Sequence, residues 1–136
     1  MEVRELRALT AQRRKMVKIS SIAKCRLHSL LHRHDIELPE GFEPFSDDMR
    51  ERWEHLEVSP LEKQLLFSDL ATLDFAKGQV HAIEETLKEL TAKDERVPLL
   101  VQVTGIGLLT AITILAAIGE VSRFPSAKQL VGRAGL

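Results

Sequence analysis

Tyrosine is missing from the 136 residues altogether, tryptophan and cysteine occur once each, and phenylalanine only five times. With so little aromatic bulk, a core has to be built mostly of Leu, Ile, Val and Ala, for which a 44% hydrophobic composition leaves room. A lone Cys25 excludes an internal disulfide framework and a CxxC-type zinc site, and suits a reduced thiol in a cytoplasmic setting. Long apolar runs are lacking as well. The opening MEVRELRALTAQRRK has no apolar signal core, and the longest apolar stretch, 108–118, is interrupted by Thr110 and Thr113 and is too short to span a bilayer. The expectation is a soluble chain with no membrane partner, long enough for one ordinary domain or for two small helical units sharing a core.

Net charge is nearly absent too, at −1, but that total conceals a division. Residues 1–34 hold nine Arg/Lys against two Glu, residues 35–98 hold seven against seventeen Asp/Glu, and residues 99–136 hold three against one. A basic segment beside an acidic scaffold suggests a surface for a polyanion. Arg7, Arg13, Arg14, Lys15, Lys18, Lys24 and Arg26 would form a phosphate-contacting stripe, and the competing reading is a solvated face or an intramolecular partner in the acidic segment.

Up to His34 there is neither Gly nor Pro, and the composition predicts one long helix over 2–34. Its apolar positions, Leu6, Leu9, Met16, Ala23, Leu27 and Leu30, recur at helical spacing, with Ile19, Ile22 and Leu31 widening the face. Two prolines and a glycine in LPEGFEP mark a loop within 35–46. Ser46, followed by Asp47 and Asp48, reads as an N-cap for a short helix over 47–57. Ser59-Pro60-Leu61-Glu62 has the form of a capping box with proline at the first helical position. A long helix over 60–93 follows, with Leu66, Leu73, Ala76, Val80, Ile83, Leu87 and Leu90 as its seam and Gly78 as a weak point. Folded back on the first helix, it makes a long antiparallel hairpin resembling a coiled coil, although pairing between two copies would satisfy the same pattern.

After Asp94-Glu95-Arg96 the composition turns apolar and nearly neutral. In 99–111 a short apolar helix meets Gly105-Ile106-Gly107 and a second apolar helix begins, which is a helix-hairpin-helix pattern. Two glycines with positive φ would expose amide N–H groups at the positive end of the second helix, so Thr104, Gly105, Ile106 and Gly107 are candidates for gripping a phosphate. Ile106 would point inward to lock the hairpin. The plainer alternative is a tight turn between two core helices. Gly119 would close the second helix, and Ser126 with Gln129 would cap another. The division expected is a helical linker over 1–95 and a helix-hairpin-helix unit over 96–136, an all-α chain cut short within the second unit.

Other chemistry is weaker. Cys25, His28 and His32 share one helix face, but zinc would need a fourth ligand and no second cluster is visible, so no metal is assigned. Trp53 could stack on a base, yet on a short amphipathic helix it reads better as a packing anchor. Glu84 and Glu85 read as outer-face residues of the seam helix, and Asp69 and Asp74 have no partner close in sequence, so no catalytic residue is assigned.

The run VTGIGLLTAITILAAIGEVSRFPSAKQLVGRAGL resembles the opening of the C-terminal domain of a bacterial insertion-sequence transposase family. In that family an N-terminal DEDD, RuvC-like domain precedes a helical linker and a helix-hairpin-helix transposase domain. The resemblance is carried by Gly105-Ile106-Gly107, Thr110-Ala111, Ile118-Gly119-Glu120, Arg123-Phe124, Ser126-Ala127, Gln129-Leu130 and Ala134-Gly135-Leu136. More loosely, LRALTAQRRKMV, KCRLHSLL and the segment around Arg52, Trp53 and Leu56 resemble the family's linker. The resemblance implies DNA recombination guided by a structured RNA, an acidic tetrad with a divalent metal such as Mg²⁺, and a serine nucleophile. The tetrad is expected before Met1 and the serine beyond Leu136, leaving this part without a cofactor and inactive alone; Ser122 and Ser126 are not promoted to nucleophiles. DNA, a guide RNA and a second copy are the partners it implies, in a bacterial cytoplasm. The rival readings are a helical dimerisation module that binds no nucleic acid, and a repair-type hairpin protein, for which the chain ends too early.

Overall fold

A computed structural model describes residues 3–118. These residues are all-α, with no strand among them: α1 (Val3–Arg33), one 3-10 turn (Asp47–Met49), α2 (Arg50–Glu54), α3 (Pro60–Thr91), α4 (Arg96–Val101) and α5 (Leu108–Ile118). No helix among them is long and apolar enough to cross a membrane.

Helix ends follow local chemistry. At the end of α1 the chain enters the left-handed region at Asp35, with φ of 51°. The Ile36 N–H then reaches back to the Leu31 carbonyl at 2.9 Å and the Asp35 N–H to that of His32 at 3.3 Å, which together close a Schellman motif. Glycine is the usual residue there; a short polar side chain is the tolerated substitute. At the start of α3, the Ser59 hydroxyl accepts the Glu62 N–H at 3.2 Å, as the capping reading requires. The return half of that box is not made, because the Glu62 carboxylate lies against His34 Nε2 and 3.9 Å from Arg33. Ser46 also departs from expectation: it occupies the N-cap position without a side-chain cap, its hydroxyl donating instead to the Glu43 carbonyl at 3.0 Å.

The chain divides into two compact units, Met16–Gly78 and Met1–Lys15 with Gln79–Leu136, so that α1 and α3 each contribute to both. In Met16–Gly78 the core joins Ala23, Leu27, Leu30 and Leu31 of α1 to Leu66, Leu70 and Leu73 of α3, with Phe45, Met49 and Trp53 closing over them. Here α1 and α3 run antiparallel, since Arg26 pairs with Asp69 and, further along α1, Arg33 with the earlier Glu62. Trp53, 1% exposed, donates from its indole nitrogen to the Pro44 carbonyl at 2.6 Å. Its ring stacks on Phe45 at 5.5 Å with 13° between planes, while His28 meets Phe45 edge-on at 5.0 Å. Lys77 donates to the Phe45 carbonyl at 2.9 Å, fixing the loop from the α3 side. Ile22, expected to widen the α1 seam, is 52% exposed, because it lies one residue off the Ala23–Leu27–Leu30 face.

In the other unit, described over 3–15 and 79–118, the buried side chains are Leu6 and Thr10 of α1, Ile83, Leu87 and Thr91 of α3, Val97 and Leu100 of α4, and five residues of α5. The last turn of α3 corrects the expected seam: Leu90 is exposed, and Thr91, four residues after Leu87, is buried. Its hydroxyl is satisfied by the Leu87 carbonyl at 2.7 Å, so burial leaves no orphan donor. Two residues before α4, the Asp94 carboxylate accepts the Arg96 N–H at 2.9 Å and a forked contact from the Arg96 guanidinium.

Candidate nucleic-acid interface

Helices α4 and α5 are joined by residues 102–107 and pack on each other. The Ile106 N–H donates to the Val103 carbonyl at 3.1 Å, which makes Thr104 and Gly105 the centre of a tight turn. Gly105 has φ of +88°, as the third residue of a type II turn requires. Gly107 differs from expectation, since its φ is not positive and its carbonyl simply accepts the first bond of α5, from the Ala111 N–H at 2.9 Å. A type II turn needs only one left-handed residue. A Cβ added at Gly107 would meet nothing within 4 Å among the described residues, so neither backbone conformation nor packing among those residues calls for glycine there. Thr104, Gly105 and Gly107 are exposed and Ile106 is half-buried. Gly107 and Leu108 are thus exposed at the start of an 11-residue helix, where the first amides lack intrahelical partners and the dipole is positive.

The seven candidate phosphate-contacting residues of α1 separate into two groups. Arg7 donates through Nε to the Ala116 carbonyl and through Nη2 to that of Ala117 at 3.2 Å, gripping the last turn of α5. Arg13 Nε and Nη2 both lie 2.9 Å from Glu84 Oε1. Arg26 Nε donates to Asp69 Oδ1 at 3.0 Å, and the Lys24 ammonium lies 5.5 Å from the centre of the Phe45 ring. Arg14, Lys15 and Lys18 are exposed and form no ion pair among the described residues. Glu84 therefore faces α1 rather than the outer side of α3, whereas among the described residues Glu85 pairs only with Lys88 of its own helix, at 3.4 Å.

Asp69 and Asp74 find partners far along the chain. Arg50 meets both oxygens of Asp74, with Nη1 2.6 Å from Oδ2. That hydrogen bonding holds the Asp74 carboxyl below the usual carboxylate range and raises the Arg50 guanidinium. Arg96 lowers Asp94 in the same way, again chiefly through side-chain hydrogen bonding. The Arg50–Asp74 pair ties α2 to α3, whereas the Asp94–Arg96 pair is local to the start of α4. Trp53 is buried in the core and presents no stacking face. Cys25 is exposed, and among the described residues no three His, Cys, Asp or Glu side chains stand where they could hold a metal ion. Ser122, Ser126 and the other residues from Gly119 onward lie outside the described residues.

Residues 97–136 match the sequence model of the Transposase IS116/IS110/IS902 family. Over 141 residues the chain is 25% identical to the transposase for insertion sequence element IS1111A of Coxiella burnetii, and the match takes in 100% of this chain but 38% of that protein. No solved structure matches the chain. The two matches support an insertion-sequence transposase family, with the family-model match beginning at α4 and running through the glycine turn and α5.

Proposed function

We propose that this chain supplies phosphate-backbone contacts and subunit contacts to a DNA transposase, and assign it no catalytic residue. The observation that carries the reading is Gly107: it is exposed at the N-terminus of α5 and, among the described residues, needed neither for φ nor for space. Close approach of a phosphodiester to the α5 amides gives a reason for a missing side chain at that position. Arg14, Lys15 and Lys18, exposed on α1 without ion pairs among the described residues, supply non-specific phosphate contacts of the kind that make binding salt-dependent. DNA is the first partner, and a structured RNA presents the same phosphates.

Fluorescence anisotropy with short duplex DNA tests this. Gly107→Ala leaves the helix content intact and weakens binding about tenfold, the order expected for losing hydrogen bonds to a charged group. Unchanged affinity would remove the turn from the interface.

Subunit contact is supported by a second apolar stripe. Leu61, Leu65 and Phe75 of α3 are exposed, at 69%, 45% and 60%, and with Ser68 and Thr72 they follow four- and three-residue steps. Antiparallel pairing of two copies about Ser68 sets Leu61 opposite Phe75, so the stripe is complementary to itself. If the chain associates through this stripe and binds neither duplex DNA nor structured RNA at low salt, the dimerisation reading replaces the first.

A further inference from the structure

We propose that Glu84 and Asp69 of α3 are built-in competitors for phosphate, which keep Arg13 and Arg26 of α1 out of the nucleic-acid contact set for as long as they hold them; this rests on the phosphate-binding reading above. In one compact unit Arg13 of α1 meets Glu84 of α3 at 2.9 Å, and in the other Arg26 meets Asp69 at 3.0 Å, with the looser Arg33–Glu62 pair at 3.9 Å beyond it. A carboxylate and a phosphodiester offer a guanidinium the same thing, a negative charge with in-plane acceptor oxygens, so the two compete for one donor fork. Neither pair is locked in by burial. The Arg13 and Glu84 side chains are 31% and 21% exposed, and those of Arg26 and Asp69 59% and 18%. Ion pairs this open to water contribute little in isolation, so exchanging the partner costs little. Arg14, Lys15 and Lys18 need no release, because no carboxylate of the described residues holds them. The basic segment then has two levels of engagement, a first contact through unpaired cations and a closer one in which α3 gives up two arginines.

Two neighbouring carboxylates on α3 make the test selective. Glu84→Gln and Glu85→Gln each remove one negative charge from adjacent positions, but Glu84 holds Arg13 whereas Glu85 holds Lys88 of its own helix. Both variants and the parent chain are titrated with short duplex DNA of mixed sequence over a range of salt concentrations. Glu84→Gln is expected to steepen the plot of log affinity against log salt by about 0.9, the increment for one added phosphate contact on B-DNA. Glu85→Gln leaves the slope unchanged. Asp69→Asn repeats the gain independently at Arg26, and Arg13→Gln added to Glu84→Gln cancels it. Equal slopes for Glu84→Gln and Glu85→Gln, with the parent chain binding, overturn the competition alone. Failure of the parent and every variant to bind at low salt overturns both this and the phosphate-binding reading.

Discussion

Trp53 is the position at which one substitution would do most to the Met16–Gly78 unit. The side chain is 1% exposed, it lies against Phe45, and its only polar atom is spent on the Pro44 carbonyl. Trp53→Ala removes the whole indole from a core that includes ten buried side chains, so little remains to close over the gap. Truncations of this kind cost about 3–5 kcal/mol, against a total stability of about 5–15 kcal/mol for a typical domain. Trp53→Phe keeps a ring on Phe45 and loses the N–H donor together with part of the volume, for which about 1–2 kcal/mol is expected. Urea unfolding followed by far-UV circular dichroism separates the two, provided the slopes agree and only the midpoints move. If Trp53→Ala cost less than about 1 kcal/mol, no more than Trp53→Phe, the indole would not be the anchor of the loop and the account of this core would be wrong.

At the α4–α5 turn, Gly105→Ala should cost about 1 kcal/mol because alanine resists positive φ, whereas Gly107→Ala should leave the unfolding midpoint unchanged or slightly raised; paired urea melts distinguish them. Asp94 is held below the ordinary carboxylate range in the folded chain, so its stabilising contribution is complete above its unfolded pKa and is lost as pH falls through the lower folded one. Asp94→Asn should therefore flatten the acid limb of stability against pH while changing little of its shape at neutral pH. Phe75→Glu should abolish concentration-dependent self-association by sedimentation velocity without loss of helix, because it places a charge at the end of the exposed α3 stripe.

What the sequence made legible is chiefly what depends on near neighbours. The long helices were readable because α1 contains no Gly or Pro and α3 opens on Ser59-Pro60, whose hydroxyl cap is present. The end of α1 was less readable in kind, since its left-handed residue is Asp35 rather than glycine. The glycine turn was visible as a pair of glycines, but spacing alone could not say that only Gly105 is needed for φ. Charge partners were the least legible part. Arg26 and Asp69 lie 43 residues apart, and Arg13 and Glu84 71 apart, so the residues competing with phosphate can be named only once α1 and α3 are packed. For the same reason the basic excess before residue 35 overstated the free cations, four of the seven being engaged by α3, by α5 or by an aromatic ring.

The most direct test of the central claim is an anisotropy titration of the whole chain with duplex DNA across salt concentrations, beside a variant with Arg14, Lys15 and Lys18 all replaced by alanine. Affinity is expected to fall steeply with salt for the parent chain, with a slope shallower by about 2.7 in the variant, about 0.9 for each lost phosphate contact. Binding that is absent at low salt, or identical slopes for the two chains, would contradict that claim.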